Sequence, residues 1–285
     1  MLKITEPAYA KINLTLDVLR KRPDGYHDIK SIMQTVSLRD EVEVCLGTGK
    51  PWEVCCNKTG VPLDRKNLAW RAAEAFFRGT GIDPNGLQIT IRKQIPMEAG
   101  LGGGSADAAA VLRGLNRAYS ELISLDRLAQ LGAAVGSDVP FCVIGGAAMA
   151  EGRGERLRRI PGMPQCNMIL CKPRFSSSTP ALYQKLDEMT IPDRPDQDAM
   201  ENALRSGDLK KIAEHLCNVF EPVVAGEHEE IAFIRKICLE SGAMGVCMSG
   251  SGSAVFAIFP DVCSAERAKN TLIEAGIQTF LTHPV

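Results

Sequence analysis

No Cys-x-x-Cys pair occurs among the ten cysteines of this sequence. Cys55 and Cys56 are adjacent, Cys166 and Cys171 are separated by four residues, and most others sit between apolar neighbours, as Cys142 does between Phe141 and Val143. These spacings exclude the common thiolate zinc sites and indicate buried free thiols. The histidines, His27, His215, His228 and His283, are scattered and form no metal-ligand pair, so no side-chain metal site is expected. Net charge is nearly absent as well, -1 at pH 7 with a pI near 6.5. A general nucleic-acid binder carries a basic face, so no nucleic-acid partner is expected. No uncharged apolar run reaches the ~18 residues that a membrane span requires. The first residues, Met1 to Pro7, lack the basic start and apolar core of a signal peptide. A soluble, cytoplasmic protein with no membrane partner is therefore expected. Internal repeats and low-complexity tracts are missing too, and the length suits two modest domains or one large one.

Glycine, by contrast, is plentiful, and one cluster of it stands out. From Pro96 to Asn116 the chain reads Pro-Met-Glu-Ala-Gly-Leu-Gly-Gly-Gly-Ser-Ala-Asp-Ala-Ala-Ala-Val-Leu-Arg-Gly-Leu-Asn, a glycine-rich loop running into a helix. Gly100, Gly102, Gly103 and Gly104 let the backbone take positive φ and approach a bulky anion. Ala106, Ala108, Ala109, Ala110, Val111, Leu112 and Leu115 are helix formers with apolar residues at helical spacing, which makes Ser105 the expected N-cap. The unpaired N–H groups and positive dipole end of such a helix start suit a phosphate. No lysine follows the glycines, so this is not a Walker A loop, and Ser105 stands where a Gly-x-Gly-x-x-Gly motif would end.

Elsewhere, Ile12 to Leu19 alternates as a half-buried strand. Lys11 and Asn13 fall on its other face, where solvated side chains are the ordinary expectation. Pro23-Asp24-Gly25 is a turn signal between the cations of residues 20–22 and the rings of Tyr26 and His27. A helix is expected from Asn67 to Arg78, then a strand from Leu87 to Arg92 feeding the glycine loop. A further helix, Asp126 to Val135, would be capped by Asp126. Asp138 lies two residues before Pro140, where an aspartate ordinarily satisfies the backbone of a turn. The apolar run Phe141 to Ala150 reads as a buried strand or hairpin. A charged and then turn-forming run, Arg153 to Gly162, marks the boundary between expected domains 1–158 and 159–285. Strands and helices alternate in the second half, around another glycine cluster at Ser249 to Ser253, which suggests a sheet with helices on one face.

The order Pro-x-x-x-Gly-Leu-Gly-Gly-Gly-Ser-x-Asp-Ala resembles the phosphate loop of the GHMP kinases, which hold an ATP phosphate without a Walker lysine. Ala10 to Leu14, Arg22 to His27 and Gly136 to Phe141 are similar to segments of one family within that group, the 4-diphosphocytidyl-2-C-methyl-D-erythritol kinases. Met33 to Asp40 and Asn67 to Ala73 are similar to the same family, so the likeness covers most of residues 5–155. Beyond that only Thr179-Pro180-x-Leu182-Tyr183 and the Ser249 to Ser253 loop match. The resemblance implies an α+β, two-domain GHMP kinase fold, with an N-terminal domain like the second domain of ribosomal protein S5 and a ferredoxin-like C-terminal domain. It implies ATP and Mg²⁺ as cofactors and a small-molecule substrate, 4-diphosphocytidyl-2-C-methyl-D-erythritol, phosphorylated on its 2-hydroxyl in the non-mevalonate isoprenoid pathway by a monomer or homodimer.

Carried over residue by residue, the resemblance makes Asp138 the catalytic aspartate and Lys11 its partner. Gly100, Leu101, Gly102, Gly103, Gly104 and Ser105 would hold the ATP phosphates, and Lys93 and Asn67 would contact the nucleotide. Asn13, Tyr26, His27, Thr179 and Tyr183 would contact the substrate, with Tyr26 and Tyr183 stacking on cytosine and His27 bonding the base edge through its backbone. Kinases of the same group that act on homoserine, mevalonate or a sugar need no cytosine platform. Two departures stand out: Glu98 replaces a small residue and is expected to point outward, and Ala106 replaces a common serine.

Overall fold

A computed structural model describes residues 2–191 and 193–285. In chain order the elements are β1 (Leu2–Lys21), β2 (His27–Leu46), β3 (Glu53–Cys56), α1 (Leu68–Thr80), β4 (Leu87–Arg92), α2 (Gly103–Ala118), α3 (Leu125–Ala133) and α4 (Val139–Ile144). They continue as β5 (Ala147–Gly152), β6 (Arg156–Arg159), β7 (Asn167–Lys172), α5 (Thr179–Glu188), α6 (Gln197–Ser206), α7 (Leu209–Glu214) and β8 (Cys217–Asn218). The last are α8 (Glu221–Glu227), α9 (Glu229–Glu240), β9 (Gly245–Met248), β10 (Val255–Phe259), α10 (Val262–Glu274) and β11 (Gln278–Thr282). Among the described residues no helix is long and apolar enough to cross a membrane.

Two compact units share the chain. One comprises Met1–Ala10, Arg39–Met97 and Gly102–Gly145, the other Lys11–Leu38, Glu98–Leu101 and Gly146–Val285. Strands β1 and β2 each contribute residues to both.

In the first unit, β4 pairs antiparallel with β2 from Glu41↔Arg92 to Leu46↔Leu87 and parallel with β3. Helix α1 is capped by Asn67, whose side chain accepts the Ala69 N–H, and ends at Gly81 in the left-handed conformation at φ +74. Helix α2 is buried on nearly every side, including Ala106, Ala108, Ala109, Ala110, Val111, Leu112 and Leu115. A helix apolar all round is a core helix, and its small residues let neighbours come close: a Cβ on Gly114 would meet Val44 Cγ2 at 3.4 Å. Two local expectations need correcting. Helix α3 is capped by Ser124, which accepts the Arg127 N–H, rather than by Asp126. The run Phe141 to Ala150 is divided: residues 139–144 form the helix α4, with Pro140 in the first turn, where its missing N–H costs nothing, and the strand begins only at Ala147 as β5. A short apolar run has no periodicity that separates the two states.

In the second unit, β7, β9, β10 and β11 form an antiparallel sheet in the order β11-β7-β10-β9. With α5 to α9 between β7 and β9, and α10 between β10 and β11, this is the β-α-β-β-α-β order of the expected ferredoxin-like domain. Its core joins Ile169, Cys171, Val255, Ala257 and Phe259 to Ile234, Ala268 and Leu272 from the helices. β1 lies beside β2 in the other sheet, and further pairings join β2 with β5, β5 with β6, and β1 with β8 at Thr15↔Cys217.

Candidate active site

The glycine loop enters its helix earlier than a serine cap would place it. The N-cap of α2 is Gly102 at φ +69, and Ser105 lies in the first turn. Gly102 can take this left-handed conformation without strain. Having no side chain, it makes no cap hydrogen bond to the first-turn N–H groups, the donors that suit a phosphate. A Cβ on Gly103 would lie 3.2 Å from Lys93 Nζ and 3.1 Å from Ile95 Cγ2. Gly104 is exposed, and Ala106 is buried in the helix face below it.

The stem of the loop, Glu98–Leu101, is held within the second unit by the other glycine cluster. Ser249 Oγ donates to Gly100 O at 3.0 Å and Ala254 N to Ala99 O at 3.0 Å. Gly100 stands at φ +75, and a Cβ there would fall 2.1 Å from Ser249 O, an impossible approach to a backbone atom. Glu98 is exposed as expected, at φ +53. Gly100→Ala is expected to destabilise by about 1–2 kcal/mol through its backbone conformation plus a further ~1–3 kcal/mol from overpacking. Gly207→Ala makes the control, since Gly207 has a similar φ of +65 but nothing within 4 Å of a Cβ. Urea midpoints of the two variants measure the difference; equal losses would mean that the stem is not clamped.

Lys93 lies in a buried cluster of the first unit. Its Nζ donates to Asp40 Oδ2 and, at 2.8 Å, to Asp107 Oδ2. Asp40 Oδ1 accepts the N–H groups of Gln94 at 2.5 Å and Ile95 at 2.8 Å. Asp107 Oδ1 is buried with no hydrogen-bond partner. Burial, the largest influence on Asp107, pushes its carboxyl up to about 7 against the pull of Lys93. Burial also opposes the Lys93 charge, but Asp107 and Asp40 outweigh it and the pKa of the ammonium is raised.

In the second unit, Lys11 and Asn13 are not solvated: they are 4 % and 2 % exposed. Lys11 Nζ donates to Asn13 Oδ1 at 2.7 Å, Asn13 Nδ2 donates to Ser31 Oγ at 2.8 Å, and Ser31 Oγ donates to Thr15 O at 2.6 Å. The Lys11 backbone N–H donates to Leu101 O at 3.0 Å, so the lysine is tied to the loop stem. Alternation predicts a wet second face only when nothing covers it, and here both faces of β1 are covered in this stretch.

The turn before β2 presents Tyr26, 56 % exposed, with the Arg153 guanidinium 5.1 Å from its ring centre. His27 is buried, and its ring stacks on Tyr183 with centroids 4.5 Å apart and planes 18° from parallel. Tyr183 in turn meets the buried Phe220 edge-on at 5.0 Å. In the first unit, Asp138 is the N-cap residue of α4, yet its carboxylate makes no cap hydrogen bond to that helix.

The chain matches the models for the GHMP kinases N terminal domain over residues 67–146 and the GHMP kinases C terminal over residues 200–278. It is 43% identical over 265 residues to the 4-diphosphocytidyl-2-C-methyl-D-erythritol kinase of Caldicellulosiruptor saccharolyticus, covering 93% of this chain and 91% of that one. The chain belongs to this family. It is 40% identical over 278 residues to the same kinase from Clostridium kluyveri, covering 98% and 99% of the two chains. The crystal structure of a 4-(cytidine 5'-diphospho)-2C-methyl-D-erythritol kinase superposes with a TM-score of 0.81 at 31% identity, covering 99% of each chain. The expected GHMP kinase fold is the fold of this member of the family.

Within that family reading, the positions taken from the likeness divide into two kinds. Asn67 uses its side chain locally, accepting from Ala69 N at 2.8 Å and donating to Pro62 O at 2.7 Å. It caps the helix whose Leu68 Cδ1 would lie 3.5 Å from a Cβ on Gly104. Lys93 likewise spends its ammonium on Asp40 and Asp107. Thr179, at the start of α5, is exposed and shares a 2.7 Å hydrogen bond with Ser251 Oγ. Asp40, Asp107 and the clamp of Ser249 to Gly252 on Gly100 were not singled out by sequence. Both aspartates do stand inside the motifs quoted for the likeness, and that position was the available signal.

Proposed function

We propose that this chain is an ATP-dependent kinase that phosphorylates the 2-hydroxyl of 4-diphosphocytidyl-2-C-methyl-D-erythritol, giving the 2-phosphate and ADP in the non-mevalonate isoprenoid pathway. What carries the reading is 43% identity, over 93% of the chain, to a kinase named for that substrate. Asp138 is the base: as the 2-hydroxyl oxygen bonds to the γ-phosphorus and the bond to ADP breaks, the hydroxyl proton passes to its carboxylate. Lys11, oriented by Asn13 and Ser31, stabilises negative charge on the attacking oxygen. Main-chain N–H groups from Gly100 through Ser105 hold the phosphates. Lys93 and Asn67 serve the nucleotide through the loop they brace. Asn13, Tyr26, His27, Thr179 and Tyr183 bind the substrate, with stacking on cytosine contributing about 1–3 kcal/mol by analogy with single-strand binders.

Among the described residues no group of three or more His, Cys, Asp or Glu side chains could hold a metal ion. Mg²⁺ needs no such group, because it keeps waters and takes phosphate oxygens with few protein ligands. The half-buried Ser105 hydroxyl in the first turn of α2 is the group of this chain that would hold it. Bound with ATP, the ion offsets charge on the phosphate oxygens.

The two family models fall on either side of residue 158, which supports domains of 1–158 and 159–285. The enzyme works in the cytoplasm as a monomer or homodimer, with a small-molecule partner and neither nucleic acid nor membrane. A coupled ADP-release assay of the purified protein tests the activity. ADP should appear with the cytidine diphosphate substrate and not with homoserine or mevalonate. Release with either of those instead would overturn the substrate assignment.

A further inference from the structure

Helix α5 grips the turn that carries Tyr26 and His27 through a residue that no motif marked. Tyr183 and Asp187 are four residues apart on α5 and so lie on one face of it. His27 meets both, stacked on the Tyr183 ring at 4.5 Å and joined through Nε2 to Asp187 Oδ1 at 2.8 Å. The other Asp187 oxygen accepts from Lys21 Nζ at 2.7 Å, on the opposite side of the same turn. The turn itself is closed by Arg22 N donating to Tyr26 O at 2.7 Å and by Tyr26 N donating to Asp24 Oδ1 at 3.1 Å. One carboxylate therefore ties the end of β1, the start of β2 and α5 together within the second unit.

The bonds from Lys21 and His27 hold the Asp187 carboxyl below its ordinary range. An ionised carboxylate only accepts, so the proton of the shared bond sits on His27 Nε2, and the ring is fixed in rotation as well as in place. A free imidazole at this position would turn about its side-chain bonds, and ordering it would fall on the ligand.

We infer that Asp187 is a positioning residue for the nucleoside end of the substrate, locking His27 against Tyr183 so that the base-binding wall is assembled before the cytidine arrives. This rests on the kinase reading given above. Asp187 touches neither the reacting atoms nor ATP in that reading, so its loss acts on binding of the cytidine substrate alone.

In steady-state kinetics, Asp187→Ala is expected to raise KM for the cytidine substrate about 10-fold, the equivalent of one net hydrogen bond, while kcat and KM for ATP stay at wild-type values. Asp187→Asn, whose amide oxygen still accepts the Nε2–H, should recover most of the loss. An unchanged KM in Asp187→Ala overturns the inference, as does an equal fall in affinity for ATP. Nitrogen NMR of the His27 imidazole in the unliganded protein gives a test that needs no turnover. Wild type should show a proton fixed on Nε2 and Asp187→Ala a ring averaged between its two nitrogens. Identical spectra would overturn the clasp even if the enzyme phosphorylates another alcohol. A wild-type protein inactive on the cytidine substrate but with the fixed ring would count against the functional reading and leave the clasp standing.

Discussion

Asp138→Asn is expected to lower kcat for the cytidine substrate by about 10²–10⁴-fold, the usual contribution of a positioned general base, while ATP binds as tightly as before. The reasoning starts from the acceptor. An alcohol is a poor nucleophile until its proton leaves, and an amide of the same shape cannot take that proton. In the proposed mechanism the base comes from the start of α4, where Asp138 is the N-cap residue and its side chain makes no cap hydrogen bond to the helix. The change therefore removes chemistry rather than a helix cap. Single-turnover rates together with ATP calorimetry separate the two effects. A variant that keeps wild-type kcat would remove Asp138 from the role of base, and one that loses ATP affinity would make it a binding residue.

Lys93→Met is expected to destabilise the protein by about 3–5 kcal/mol, because it leaves two carboxylates buried without their counter-charge. The cation is enclosed by Asp40 and Asp107, and Asp40 also holds two backbone N–H groups just before the glycine loop. Lys93 Nζ lies behind Gly103, the first residue of α2. Loss of the cluster should therefore also raise KM for ATP. Urea denaturation measures the stability, and a double-mutant cycle with Asp107→Asn should show strong coupling between the pair. If Lys93 acted only on the nucleotide, KM would rise with no change in the urea midpoint.

These two residues illustrate what could be read in the chain and what could not. The glycine loop was legible because its residue order is specific, and the helix after it because alanines and leucines repeat at helical spacing. Its start was misplaced because a glycine at φ +69 can cap a helix with no polar side chain, and sequence does not record φ. Lys11 and Asn13 looked solvated because alternation marks two faces without saying whether both are covered. The clamp of Ser249 on Gly100 joins residues 149 apart and leaves no local trace. Asp187 was invisible for the same reason, since its partner His27 lies 160 residues away. In the second half, alternating strand and helix signals made a sheet with helices on one face legible, and the ferredoxin-like order followed only from the family likeness.

The most direct measurement is phosphorus NMR of the products when the purified protein is given ATP, Mg²⁺ and 4-diphosphocytidyl-2-C-methyl-D-erythritol. The expected spectrum gains one phosphomonoester signal, assigned to the 2-position of the erythritol, as ATP is replaced by ADP. Formation of inorganic phosphate without that ester, or an ester at another hydroxyl, would contradict the account.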